Sequence, residues 1–504
     1  MFARLAELPL LVVLLGATGL FALLPATHAL ILNDHAVARD FFYSGLVLLV
    51  LTVMLAIATA AYTPRNAARS HLAALAGAYI LLPFAMALPL VQAVPDTTWT
   101  NAWFEMMSSF TTTGATVYAP DRLTPSIHLW RATVGWFGGF FTLLAAYAIL
   151  APLNLGGAEV ISGRVPGRGA NGATQITRVA EPSERITRYA LKIFPVYTVL
   201  TLILWIALLI LGDDGVTALT HAMGTLSTSG ISAEVGSASA PSGFAGEVMI
   251  FLFFGFALTR RAFPGTGLGA RKRSIASDPE LRTAAFLLLL VPSVLFLRHW
   301  VGDSTGTFSD PLATLSALWG AVFTAASFLT TTGYGSASWS STTDWSGLGA
   351  PGLLLLGLAI VGGGVATASG GVKLLRVYAL FRQGERELEI IIHPTSIGGG
   401  GSDARRLRRE GAYMAWIFFM LFALSIAVII AALSLLGLGF ESAMVLTIAS
   451  LTTTGPLADV ATVDPIPYAG LSDAVKVTLG VAMVVGRMET LALIALFAPG
   501  GWRR

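Results

Sequence analysis

Four stretches of a 504-residue chain run from a short amphipathic segment into consecutive hydroxyl residues and a glycine: "FEMMSSFTTTGATVY", "HAMGTLSTSGIS", "AVFTAASFLTTTGYGS" and "FESAMVLTIASLTTTGPLA". Their glycines are Gly114, Gly230, Gly333 and Gly455, separated by 116, 103 and 122 residues. One such stretch reads as a polar loop closed by a helix C-cap glycine. Four at near-equal spacing call for another reason, because capping does not require threonines to recur with the glycine. Cation dehydration does. Stripping water from a small monovalent cation costs roughly tens of kcal/mol unless oxygen ligands replace it, and a ring of backbone carbonyls supplied by four loops can do so. Glycine admits φ > 0 and turns successive carbonyls to one side, while β-branched threonines stiffen the strand.

Such loops must be held inside a membrane. The chain is 55% hydrophobic and 12% charged, with a mean hydropathy of +0.74, too few charges to coat a water-soluble globule of this size. Apolar runs near the length that crosses about 30 Å of hydrocarbon fall at 8–31, 42–62, 72–92, 129–152, 189–211, 244–259, 283–300, 351–378, 412–438 and 474–498. The first has the look of a signal peptide, but cleavage would leave an odd number of spans, so a retained helix is expected. The expected fold is an all-α polytopic membrane protein of about ten transmembrane helices. Two N-terminal helices (1–70) precede four units that each read span, short pore helix, polar loop, span: 71–160, 185–262, 280–382 and 408–504. With no cysteine in the chain, disulfides, thiolate metal sites and cysteine nucleophiles are excluded.

Charge sets the orientation. Residues 213–246, 302–350 and 440–475 contain no Lys or Arg, whereas the segments between them carry Arg164, Arg168, Arg178, Arg185, Arg188, Lys192, Arg260, Arg261, Arg271, Lys272, Arg273, Arg282, Arg376, Arg382, Arg386, Arg405, Arg406, Arg408 and Arg409. The positive-inside rule puts the basic segments and both termini in the cytoplasm and the four glycine loops outside. Topology and anionic lipid headgroups account for the basic runs without nucleic acid.

"VGGGVATASGGVKLLRVY" (Val361 to Tyr378) cannot hold a stiff helix, because each glycine costs about 1 kcal/mol against alanine. It reads either as an intramembrane loop or as a small-residue packing face. No βαβ context supports a dinucleotide fingerprint. Arg487, beside Glu489 in an apolar span, must face the bundle or a cavity, where it can pair with Glu489 or Glu105. No HExxH, paired-aspartate or GxSxG motif supports a membrane enzyme, and the seven histidines do not cluster into a proton relay. His221 reads as structural.

Together with the four loops, "LWRATVGWFGG", the glycine-rich segment, "IIIHPTS" and "GRMET" resemble the Trk/Ktr/HKT superfamily of potassium transporters, closest to the TrkH/TrkG type of pore-forming membrane subunit. The resemblance spans about residues 30–498. It implies that carbonyls of Thr112, Thr113, Gly114, Thr228, Ser229, Gly230, Thr331, Thr332, Gly333, Thr453, Thr454 and Gly455 line a K⁺ filter, with Gly114 favouring K⁺ over Na⁺. It also implies a gate formed by Gly362, Gly363, Gly364, Thr367, Ser369, Gly370, Gly371 and Lys373 with Arg487. The implied activity is potassium uptake across a bacterial inner membrane, with K⁺ as the transported ion and no cofactor in this chain. The implied partners are a second copy of the chain and a cytoplasmic ring of Rossmann-like, TrkA-type nucleotide-binding subunits. Na⁺-permeable or Na⁺/H⁺-coupled transport on the same fold, or a role as the K⁺-translocating subunit of a P-type pump, are the alternatives. The chain departs from the family pattern at Ser229, in "LTTTGPLA", at Gly135 and in "FGFALTRRAF".

Overall fold

A computed structural model describes residues 8–60, 67–153, 155–157, 160, 182–233, 240–263, 278–302, 311–346, 351–393, 409–462 and 464–497. Arg164, Arg168, Arg178, Arg271, Lys272, Arg273, Arg405, Arg406 and Arg408 lie outside the described residues, as do Pro394, Thr395 and Ser396 of the "IIIHPTS" segment.

The described residues form helices α1 (Leu10–Phe21), α2 (Leu23–Ile31), α3 (His35–Thr59), α4 (Ala67–Ala93), α5 (Trp99–Phe110), α6 (Pro125–Ala145), α7 (Pro182–Ile210), α8 (Gly215–Ser227), α9 (Gly243–Leu258) and α10 (Pro279–Gly302). They continue with α11 (Pro311–Leu329), α12 (Trp339–Ser346), α13 (Gly352–Val361), α14 (Leu374–Ile392), α15 (Arg409–Leu435), α16 (Phe440–Leu451), α17 (Leu457–Val460), α18 (Asp473–Met488) and α19 (Thr490–Phe497). Among them, six segments are long and apolar enough to cross a membrane: Leu10–Ile31, His35–Thr59, Arg69–Ala93, Pro125–Leu153, Glu184–Ile210 and Gly411–Leu435. Two spans expected as continuous are broken. Residues 351–378 divide into α13, a non-helical stretch and α14, and the last span stops at Glu489, whose φ is +59°.

Each of the helices α5, α8, α11 and α16 packs within its own unit, and a later helix of that unit reaches onward. Thus α6 also packs on α8, α9 on α11, α13 on α16 and α18 on α5, which closes the four units into a ring. The N-terminal α1–α3 stand outside it, with α2 against α6 and α1 against α3 and α4.

Two equivalent contacts depend on glycine. A Cβ at Gly138 of α6 would lie 2.0 Å from the Phe110 carbonyl oxygen, and one at Gly486 of α18 would lie 2.2 Å from that of Leu451. Helix backbone meets the last turn of α5 and of α16 at these places, which only the residue without a side chain permits.

Candidate ion filter and intramembrane loop

The four short helices end alike. Thr112, Thr228, Thr331 and Thr453, each two residues before the loop glycine, have φ of +54°, +55°, +59° and +54°. The next residue donates its N–H five residues back: Thr113 to Ser108, Ser229 to Gly224, Thr332 to Ser327 and Thr454 to Ala449, at 2.7 to 2.9 Å. The positive-φ threonines themselves donate three residues back, to Ser109, Thr225, Phe328 and Ser450. This is a Schellman closure with threonine in the place glycine usually takes. The glycine is therefore not the helix cap. A left-handed β-branched residue costs about 1–2 kcal/mol, and strain of this kind held at four matching positions points to function.

Side chains fix the strand after each cap. Hydroxyls one and three residues before the glycine pair at 2.9 Å for Thr111 and Thr113, 2.9 Å for Ser227 and Ser229, 3.0 Å for Thr330 and Thr332, and 3.3 Å for Thr452 and Thr454. Ser229 thus occupies the same place as the threonines of the other loops. Gly114, Gly230 and Gly333 continue with φ of +75°, +61° and +85°, whereas Gly455 is not in the positive region. A Cβ on Gly114 would fall 2.1 Å from the Ser229 carbonyl oxygen, and one on Gly230 would fall 2.0 Å from that of Thr332. Successive strands are therefore packed backbone to backbone around one axis, with the partly negative helix C-termini directed at them.

Carboxylates brace two of the loops from outside. Glu105, buried in α5, accepts from the Val117 N–H at 3.0 Å and from Arg131 Nε at 2.6 Å. Glu247 in α9 accepts from the Ala337 N–H at 2.7 Å, the Ser336 hydroxyl at 2.9 Å and Trp319 Nε1 at 2.7 Å. In the second loop His221 Nε2 takes this role, 2.9 Å from Ser232 Oγ. Glu247 was missed in the sequence, although a lone carboxylate inside "GFAGEVMIFLFF" is a signal that a buried partner exists.

Beneath the strands lies the loop between α13 and α14. Gly362 (φ +71°) ends α13, and Val372 and Lys373 donate their N–H groups to Ile360 and Val361 at 2.9 and 2.8 Å, folding residues 362–373 back on themselves. Gly363 and Gly364 pack on the Ala257 and Leu258 backbone, and Thr367 and Ser369 share a hydroxyl hydrogen bond of 2.7 Å. Lys373 Nζ donates to the Ser369 carbonyl. The loop touches the strands directly: the Gly370 N–H donates to Thr331 Oγ1 at 2.7 Å, and a Cβ on Gly370 would meet the Thr452 carbonyl oxygen at 2.0 Å. Gly371 (φ +76°) packs against Ala359 and Gly362. On the loop's other flank Glu280 accepts the Val365 N–H at 2.8 Å and pairs with Arg260 at 3.5 Å.

Arg487 is 7% exposed and joins loop to strand. It donates to the carbonyls of Thr111 and Ala368 and to the Thr112 hydroxyl. Among the described residues it pairs with neither carboxylate expected of it. Glu489 pairs with Arg376 at 2.7 Å and Glu105 with Arg131. A guanidinium satisfied by carbonyls keeps its charge uncompensated just below the strands. Thr228 Oγ1 and Thr453 Oγ1 are buried with no hydrogen-bond partner among the described residues; hydroxyls so placed are suited to a water or a cation. Among the described residues no three His, Cys, Asp or Glu side chains gather for a metal.

The family model for TrkH, described as a cation transport protein, matches residues 38–501. The chain belongs to the TrkH family. It is similar to the Trk system potassium uptake protein TrkH of Escherichia coli K12, 29% identical with 98% of each chain covered, and to TrkG of the same organism, 27% identical with 84% of each covered. The crystal structure of the potassium transporter TrkH from Vibrio parahaemolyticus superposes with a TM-score of 0.79 at 26% identity, covering 99% of this chain and all of that one. The TrkH-family architecture and the ring of units described above therefore agree over nearly the whole length.

Proposed function

We propose that this chain is the pore subunit of a potassium-uptake system in a bacterial inner membrane. K⁺ enters from outside, sheds water to carbonyls of Thr112 to Gly114, Thr228 to Gly230, Thr331 to Gly333, Thr453 and Thr454, and passes inward down the membrane potential, worth about 2.3 kcal/mol per charge per 100 mV. The observation that carries this reading is the fourfold left-handed threonine two residues before the glycine, a costly conformation that turns successive carbonyls to the same side. Residues 362–373 with Arg487 act as the gate, because they fill the space directly below the strands and add positive charge there. The chain carries out no chemical step and needs no cofactor.

The relatives are named as parts of a Trk system, and the family resemblance extends this to a homodimer with cytoplasmic, TrkA-type nucleotide-binding subunits that bias the gate. Glu280 and Arg260, which tie the loop to the first turn of α10, give that bias a route.

Tracer flux into proteoliposomes holding the purified chain tests the proposal, with the wild type beside a variant whose 364–369 segment is shortened. Rb⁺ entry that rises when the loop is shortened supports pore and gate together. Silence of both proteins would refute the pore.

A further inference from the structure

The fourth loop breaks the symmetry of the ring at its outer end. At Gly333 the group that a Cβ would meet is not the carbonyl of the next strand but the Pro456 ring, 2.8 Å away. The same ring lies 3.8 Å from the Cβ positions of both Gly114 and Gly230. A ring that approaches three strands spaced around one axis sits over that axis. The Gly455 N–H donates to the Thr113 carbonyl at 2.6 Å, and the Gly455 carbonyl accepts from the Tyr468 hydroxyl at 3.0 Å. Tyr468 is buried, and its ring packs on Phe104 of α5. From Pro456 (φ −59°, ψ −8°) the chain turns straight into α17.

We propose that Pro456 is an outer constriction of the filter, held in place by Tyr468, and that the outermost carbonyl ring has three members rather than four. This rests on the filter reading above. The Gly455 carbonyl is committed to a phenol hydroxyl and the Thr113 carbonyl is shared with an N–H, so an entering cation finds fewer oxygens there than deeper in and keeps part of its water. Proline suits the position on two counts. It has no N–H, which would present a donor to the cation, and its fixed φ already matches the first turn of the helix that follows. The constriction admits ions by size at the mouth, whereas the full carbonyl set selects further down.

The test uses the full-length chain with the gating segment shortened, so that flux does not wait on a regulatory partner. Rb⁺ and Na⁺ entry into proteoliposomes are measured for that chain and for the same chain carrying Pro456→Ala or Tyr468→Phe. Pro456→Ala is expected to raise Rb⁺ entry about threefold and Na⁺ entry more, lowering the preference, with Tyr468→Phe shifting both in the same direction by less. Rates and preference equal to those of the parent would overturn the constriction while leaving the filter standing. A parent that passes neither ion would remove the filter and the constriction together. The chain has no cysteine, so Pro456→Cys gives a single thiol for a readout that does not depend on the gate. Its labelling by a cationic methanethiosulfonate, followed by mass in detergent, should slow severalfold in Rb⁺ relative to choline. Labelling indifferent to Rb⁺ would place the residue away from the ion path and overturn the proposal.

Discussion

Arg376 grips Glu489 with both ends of its guanidinium, Nη2 to Oε2 at 2.7 Å and Nη1 to Oε1 at 3.2 Å, while its flat face lies 3.7 Å over the Phe418 ring. Arg376 is in the first turn of α14, just past the intramembrane loop, and Glu489 sits in the break between α18 and α19. One buried pair thus ties the interrupted helices of the third and fourth units together. Removing one partner leaves the other charge buried, at a cost of about 3–5 kcal/mol. Glu489→Gln is expected to lower the unfolding temperature in detergent sharply, and the double variant Arg376→Met, Glu489→Leu to recover much of the loss. A Glu489→Gln protein as heat-resistant as the wild type would contradict the pairing.

Arg487 both charges the space under the strands and pins the loop to them. Arg487→Ala should therefore increase Rb⁺ entry in the absence of any partner protein, by about tenfold if the barrier it sets is near 1.4 kcal/mol. Entry that falls or stays level would mean that the side chain is not a barrier.

Glu247 holds three donors at once, so Glu247→Ala leaves the Ala337 N–H and the Ser336 hydroxyl without their acceptor, costing about 1–3 kcal/mol. The third loop should loosen, and Rb⁺ preference over Na⁺ should drop while total flux persists. Glu247→Gln, which can still accept from the Ala337 N–H, should retain more of the preference than Glu247→Ala. Equal preference in all three proteins would remove the brace from the account.

Gly138 and Gly486 leave no room for a methyl group. Gly486→Ala would push α18 off the end of α16, and Gly138→Ala would push α6 off the end of α5, with overpacking costs of about 1–3 kcal/mol each. Size-exclusion profiles of detergent extracts should show reduced monodisperse protein for both, against no change for Gly357→Ala, whose Cβ would meet nothing within 4 Å. Unchanged profiles for the first two would show that the helices can part.

The repeat was legible because chemistry was written into it. Glycine with flanking hydroxyls recurred at near-equal spacing, and long apolar runs framed each copy. The left-handed threonines were not legible, since the residue type disfavours that conformation and only the packed ring sustains it. Nor were the partners of Arg487 and Glu489. Sequence adjacency suggested a pair, but the residues lie on either side of the point where α18 ends, and Glu489 faces Arg376 across 113 positions. The fourth loop looked most like its siblings in "LTTTG", and its departure arises one residue later, from a proline whose ring occupies the space where the Gly333 strand would meet the next carbonyl.

If four loops of one chain form a single cation filter, as proposed, Gly114→Ser must weaken its selectivity. Serine would be strained at φ +75° and would drive its Cβ into the Ser229 carbonyl of the adjacent loop, 2.1 Å away. In proteoliposomes holding the chain with its gating segment shortened, Rb⁺ entry should exceed Na⁺ entry, and Gly114→Ser should erase most of that preference. A preference left intact by Gly114→Ser, in a protein that still conducts, would contradict a filter built from these loops.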